Sequence, residues 1–146
     1  MAKATGFQPD YETGDIKMNA GDTGSMIVRC TQKDGDEWTS DDRMLFTIRN
    51  QQGEIMIQRI YRLDDQYDLG NGVVLIEFHN DDTDDWEAGD YSMERRYNID
   101  PIWNGTPSTA RCVDATVAGV AQMIEGGTVR TVFQGTLHID GVIGGI

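Results

Sequence analysis

Between two runs that alternate like β-strands lies Asp81-Asp82-Thr83-Asp84-Asp85-Trp86-Glu87-Ala88-Gly89-Asp90-Tyr91, and no other stretch limits the choice of fold so tightly. Upstream, Val73-Val74-Leu75-Ile76-Glu77-Phe78 is β-branched and aromatic at strand length. Downstream, Tyr91-Ser92-Met93-Glu94-Arg95-Arg96-Tyr97 alternates with period two. Trp86 and Tyr91 flank Ala88-Gly89 as the large residues do in a tyrosine corner, where a phenol at the start of a strand hydrogen-bonds back to the preceding connection. Trp86, Gly89 and Tyr91 are therefore expected to anchor a corner between two strands of a β-sandwich.

The rest of the chain keeps the same rhythm. Strand-like runs begin at Asp15-Ile16-Lys17-Met18, Ser25-Met26-Ile27-Val28-Arg29-Cys30, Met44-Leu45-Phe46-Thr47-Ile48-Arg49 and Glu54-Ile55-Met56-Ile57-Gln58-Arg59-Ile60-Tyr61. Gly-, Asp- and Asn-rich turns separate them, and the last two runs read as a hairpin. Ala121-Gln122-Met123-Ile124 and Thr128-Val129-Arg130-Thr131-Val132-Phe133 flank Glu125-Gly126-Gly127, which predicts a closing hairpin, with Gly135 marking a bulge. Between these regions Pro101, Asn104-Gly105 and Pro107 break the beat, and residues 108–119 fit a helical face and a strand equally. The pattern predicts an all-β chain: an immunoglobulin-like antiparallel β-sandwich of seven to eight strands with an inserted loop or short helix near 100–120. Residues 1–14 read as a flexible arm touching the body through Phe7 or Tyr11, 15–140 as the single domain, and 141–146 as a flexible apolar tail that frays or packs on another subunit.

The chain has 146 residues, and 25 Asp and Glu against 12 Lys and Arg leave a net charge of −13. A field of that sign repels phosphate backbones and argues against nucleic acid. Met1-Ala2-Lys3-Ala4-Thr5-Gly6 lacks the apolar core of a secretory signal, and no apolar run is long enough for a membrane helix, so a soluble product made in the cytoplasm is expected. Cys30 and Cys112 are too few for a disulfide framework or zinc ribbon and read as buried small hydrophobes.

Chemistry is sparse. His79 and His138 form no His-x-x-x-His pair, no nucleophile elbow is present, and no phosphate-cradling glycine loop occurs. Hard-cation binding is the most serious metal reading, because Asp81, Asp82, Asp84 and Asp85 supply oxygen ligands for calcium. Their spacing lacks the EF-hand pattern, however, and a solvated acidic turn is the preferred reading. Abundant carboxylates alone make a poor case for a hydrolase. Trp38 and Trp103 lie in polar connections, where a buried loop anchor is the commoner case; if exposed, they would offer stacking surfaces for a ligand or a partner.

Three landmarks together carry a resemblance. The turn Asn19-Ala20-Gly21-Asp22-Thr23, the strand Leu45-Phe46-Thr47-Ile48 and the Val73-to-Phe78 strand with its Asp82-Thr83 and Trp86-to-Tyr91 corner resemble the N-terminal β-sandwich of baseplate upper proteins from tailed phages and prophages of Gram-positive bacteria. The closing run from Val129 to Ile139 is similar to that family's last strand, whereas residues 100–127 depart from it and read as an added projection. The resemblance implies a non-enzymatic structural module, without catalytic or cofactor residues, that assembles into a phage tail or baseplate as a homo-oligomer or docks other virion proteins. An alternative reading is a carbohydrate- or surface-binding module that recognises a host-surface glycan through Trp38 and Trp103.

Overall fold

A computed structural model describes residues 6–32, 35–64, 69–124 and 128–140. The described elements are β1 (Gln8–Pro9), β2 (Ile16–Asn19), β3 (Gly24–Arg29), β4 (Arg43–Arg49), β5 (Ile55–Arg62), β6 (Val73–Phe78), α1 (Asn80–Thr83), β7 (Gly89–Ile99), β8 (Ile102–Asn104), β9 (Cys112–Asp114), β10 (Gln122–Ile124) and β11 (Thr128–Asp140). Seven strands form one curled, half-barrel sheet in the order β1-β2-β11-β7-β4-β5-β9, and β3–β6 and β8–β10 form two small sheets. The chain is mostly β, as its alternation predicts. The large sheet is mixed rather than wholly antiparallel, because β2 runs parallel to β11 with Leu137 opposite Ile16 and Asp140 opposite Asn19.

Burial follows the period of two. In β4 the residues Met44, Phe46 and Ile48 face inward, and in β7 Tyr91, Met93 and Tyr97 do the same. The β3–β6 pair supplies Met26, Val28, Val74, Ile76 and Phe78 to the same core, so the small sheet packs on the inner face of the large one. Phe46 and Phe78 meet edge to face across this interface, with ring centroids 6.5 Å apart. Each such buried side chain contributes roughly 1.5–3 kcal/mol of transfer free energy. The β4–β5 hairpin forms in the expected place, closed by a turn in which Asn50 Oδ1 accepts from the amides of Gln52 and Glu54.

The described part of the N-terminal arm is tied down. β1 pairs with β2, Phe7 packs on Phe78 at 5.5 Å, and a Cβ on Gly24 would run into the Phe7 ring. The contact expected through Phe7 or Tyr11 is thus made by Phe7, while Tyr11 stays 66% exposed. Residues 1–5 and the apolar tail 141–146 lie outside the described residues.

One open alternative in the second half is resolved and two expectations change. Residues 108–119 form a short strand and turns: Cys112–Asp114 adds to the sheet edge beside β5, and turns follow it. The expected Glu125-Gly126-Gly127 turn lies outside the described residues, and among those described β10 pairs with β8 and β11 pairs along β7, with no β10–β11 ladder. The register shift in β11 falls between Thr131 and Phe133, and Gly135 sits in regular register opposite Met93. Glycine is needed there for another reason, since a Cβ would collide with the Phe133 ring and Asp15 Oδ1. The added segment brings Trp103, Ser108, Ala110, Val113 and Val120 around Arg43 of β4 and Ile60 of β5, and β9 joins the edge beside β5. Arg43 ties it to the sheet by donating to the Ser108 carbonyl beneath the Trp103 ring, and its own position is fixed by donation to the Ser40 and Asp42 carbonyls.

Candidate functional site

Cross-strand register puts an unusual row on the inner face of the large sheet. Phe133 lies opposite Arg95, Arg95 opposite Phe46, Phe46 opposite Arg59, and Arg59 opposite Asp114. Residues directly opposite in a sheet share a face. Arg95 falls in phase with buried Tyr91, Met93 and Tyr97, and Arg59 in phase with buried Ile57 and Tyr61. Both guanidinium groups therefore start from core-facing positions on either side of the buried Phe46 ring. The two-stranded β3–β6 layer is too narrow to cover a seven-stranded sheet, and a groove of about 610 Å³ remains at each side.

The first groove lies toward β9 and is lined by Arg59, Tyr61, Glu77, His79, Arg111 and Cys112, among others. Arg59 is fully occupied: Nη1 donates to the Glu77 carbonyl at 2.7 Å, Nη2 meets Asp82 Oδ1 at 2.9 Å, and the guanidinium lies 6.0 Å from the Phe78 ring centroid. Burial pulls its pKa down, but Tyr61 and the hydrogen bond to Asp82 outweigh that, and the net shift is upward. The Cys112 thiol is pushed up by burial, which keeps it protonated and a poor nucleophile.

The second groove lies on the opposite side, bounded by Tyr11 and Gly14, by the edge of β3 from Met26 to Arg29, and by Arg95. Arg95 stacks on Phe133 with its guanidinium carbon 4.3 Å from the ring centroid. Among the described residues it makes no hydrogen bond or ion pair, and neither does Arg29. Burial lowers the Arg95 pKa, only partly offset by Cys30 and Tyr97. Two cations without a partner are notable in a chain of charge −13.

The residues singled out from the sequence lie elsewhere. Tyr91 donates its hydroxyl proton to the Glu87 carbonyl at 2.8 Å, and the Trp86 ring stacks on Tyr91 with centroids 4.7 Å apart. Gly89 adopts a φ of 147° where a Cβ would press on Gln51 Nε2, the donor to the Asp90 carbonyl. The acidic stretch is not simply a solvated turn. It contains the single helical turn α1, whose Asp82 accepts from the His79 amide at 2.7 Å and pairs with Arg59, and whose Thr83 is fully buried. Asp82 is taken up by Arg59, and among the described residues no three His, Cys, Asp or Glu side chains converge as ligands. Trp38 is a buried loop anchor and offers no stacking surface: it is 4% exposed, donates to the Cys30 carbonyl at 2.9 Å and packs edge-on against Tyr97. Trp103 is half-buried beside Arg43, an anchor of the added segment. Cys30 is buried and Cys112 half-buried, both as free thiols.

His138 bridges two carboxylates on the surface, with Nδ1 2.5 Å from Asp90 Oδ1 and Nε2 2.9 Å from Asp140 Oδ1. The hydrogen bond to Asp90 raises its pKa, which burial opposes only in part and Asp140 reinforces. Arg59 and Arg95 escaped the sequence reading, although a signal existed. Each interrupts an alternating run at an apolar-phase position, where a charged residue points into the fold rather than away from it. Comparison with protein-family models, with curated proteins and with solved structures finds no match to this chain.

Proposed function

We propose that the chain is a non-enzymatic assembly module of a phage or prophage tail or baseplate, made in the host cytoplasm, self-associating or docking other virion proteins. The observation that carries this reading is the meeting of its sequence landmarks at one end of the molecule. The Gly21 amide donates to Thr83 Oγ1 at 3.0 Å, Asn80 Nδ2 donates to the Gly21 carbonyl at 2.9 Å, and the closing strand sets Ile139 opposite Gly89 and Asp140 opposite Asn19. The segments that carry the resemblance thus form one built unit.

The finer fold belongs to the same proposal: an immunoglobulin-like sandwich in which β3 and β6 take the places of strands B and E, and β4, β5, β7 and β11 those of C, C′, F and G. The pairing β3–β6, the order β11-β7-β4-β5 and a tyrosine corner between β6 and the start of β7 support it. The polar groups that could do chemistry are largely engaged in structure, as Arg59, Asp82 and His138 are. The carbohydrate-binding alternative loses its motivation, since Trp38 is in the core and Trp103 anchors a flap.

Antibody raised against the chain, applied to tail particles from an induced lysate of the source bacterium and viewed by electron microscopy, tests the reading. Label at the tail tip or baseplate is expected. Particles without label, alongside free chain that light scattering finds strictly monomeric at high concentration, would overturn it.

A further inference from the structure

We propose that the groove between β3 and Arg95 receives an extended, acidic segment of a partner protein, which adds as a strand to the open edge of β3 and places a carboxylate on Arg95 and Arg29. The proposal rests on the assembly reading only for the partner being a protein. Three independent features support it. The first is the edge itself. Among the described residues β3 pairs only with β6, and its other edge presents backbone donors and acceptors to the groove. Alternate residues of an antiparallel strand direct their N–H and C=O groups away from the existing partner, and such a row is the template for strand addition.

The groove follows that edge. Consecutive residues Met26, Ile27, Val28 and Arg29 line it although their burial alternates, so the groove runs along the edge of β3 and not over one of its faces. Ile27, 42% exposed, and Tyr11 give the rim an apolar character suited to alternate side chains of an incoming strand. A volume of about 610 Å³ lies within the range of ligand clefts.

Charge selects the occupant. Arg95 sits at a core-facing position held by Phe133 stacking alone, and Arg29 flanks it on the strand edge, neither with an anionic partner among the described residues. A partly desolvated guanidinium offers strong, charge-assisted hydrogen bonds to a carboxylate. This chain's own tail, Gly141-Val142-Ile143-Gly144-Gly145-Ile146, carries no acidic side chain, and an acidic partner segment matches the site better.

The test is a titration of the full chain followed through its backbone amide resonances. The probes are a short, end-blocked peptide of alternating valine and threonine with a central glutamate, and its glutamine and lysine counterparts. The glutamate peptide is expected to shift the amides of Met26 to Arg29 and to bind about tenfold or more tightly than the other two, the ratio a charge-assisted hydrogen bond supports. Arg95→Gln should erase that preference, and Arg29→Ala, at an exposed position, should reduce it with the fold untouched. A peptide with N-methylated alternate amides should fail to bind. Four results would overturn the proposal: no shift along β3 at millimolar peptide, glutamate and lysine peptides binding alike, sodium acetate reproducing the same shifts, or a chain ending at Asp140 binding the peptide far more tightly because its own tail had occupied the groove. Self-association dispersed by the peptide would likewise overturn it, by placing a second copy there. Particle labelling is unaffected by any of these outcomes, so the two readings fail separately.

Discussion

The two grooves carry the same residue in the same structural position with opposite fates. Arg59 and Arg95 each lie opposite Phe46 on the inner face of the sheet, and each leads into a groove of about 610 Å³. Arg59 meets a carboxylate and a carbonyl, and its pKa rises despite burial; Arg95 stacks on an aromatic ring and has no anionic partner among the described residues, and burial lowers its pKa. The difference comes from what each side of the small sheet continues into. β6 leads directly into α1, which delivers Asp82 to Arg59, whereas no acidic residue is delivered to Arg95 from the arm beside β3. One arginine is part of the frame, and the other is left for something outside it.

The ring between them gives the largest expected effect. Phe46→Ala should cost about 3–5 kcal/mol in urea unfolding, because it empties a fully buried site that both arginine stems flank. A loss near that of a surface substitution would mean the two grooves are independent of the shared core. Arg59→Met comes next. It keeps much of the side-chain volume but leaves Asp82, with 18% side-chain exposure, without its cation, and should cost about 1–3 kcal/mol. Removing Asp82 instead, as Asp82→Asn, should destabilise in the same range, and the double variant should show strong coupling between the pair.

Arg95→Met is the sharpest contrast. Taking away a guanidinium without an anionic partner removes a desolvation cost and loses a cation–π contact, so stability should stay within about 1 kcal/mol of the wild type. If its unfolding midpoint fell as far as that of Arg59→Met, Arg95 would be structural and the comparison would collapse.

Much of this fold was legible because alternation is a local signal. The strands around Phe46, Val74 and Tyr91 lie where period-two burial puts them, and the Trp86-x-x-Gly89-x-Tyr91 spacing marks a corner whose hydrogen bond spans only four residues. What was not legible depends on partners distant in the chain. Polar neighbours leave the exposure of Trp38 open, and its partners are distant: its indole finds the Cys30 carbonyl and its backbone is clasped by Asn71 on another loop. The Gly-Gly signal near 126 suggests a local hairpin, but among the described residues β11 pairs along the eleven residues of β7 and β10 pairs with β8, both more distant in the chain than a hairpin partner. Arg95 carries a charge at a position in phase with Tyr91, Met93 and Tyr97, and alternation alone does not say what a core-facing guanidinium will meet.

The smallest expected effect separates the two sides by pH. His138 and Asp90 face each other across β11 and β7, the strands that also carry Phe133 and Arg95, while β5 and Arg59 lie beyond β4. Hydrogen bonding to Asp90 and Asp140 raises the His138 pKa above its ordinary 6.5 in the folded chain. The unfolded chain therefore loses this proton at a lower pH than the folded one, and the stabilisation is fully present below about 6.5 and disappears as pH rises through the folded value. With 43% of the His138 side chain exposed, solvent screening holds the effect below about 1 kcal/mol. Melting temperature should fall slightly across that window, and His138→Gln should abolish the step. Amide exchange should quicken along β11 and β7 as the proton leaves, with β5 unchanged. Equal quickening at β5 would mean that the Arg59 side is not braced independently, and that Asp82 contributes less to it than the ion pair implies.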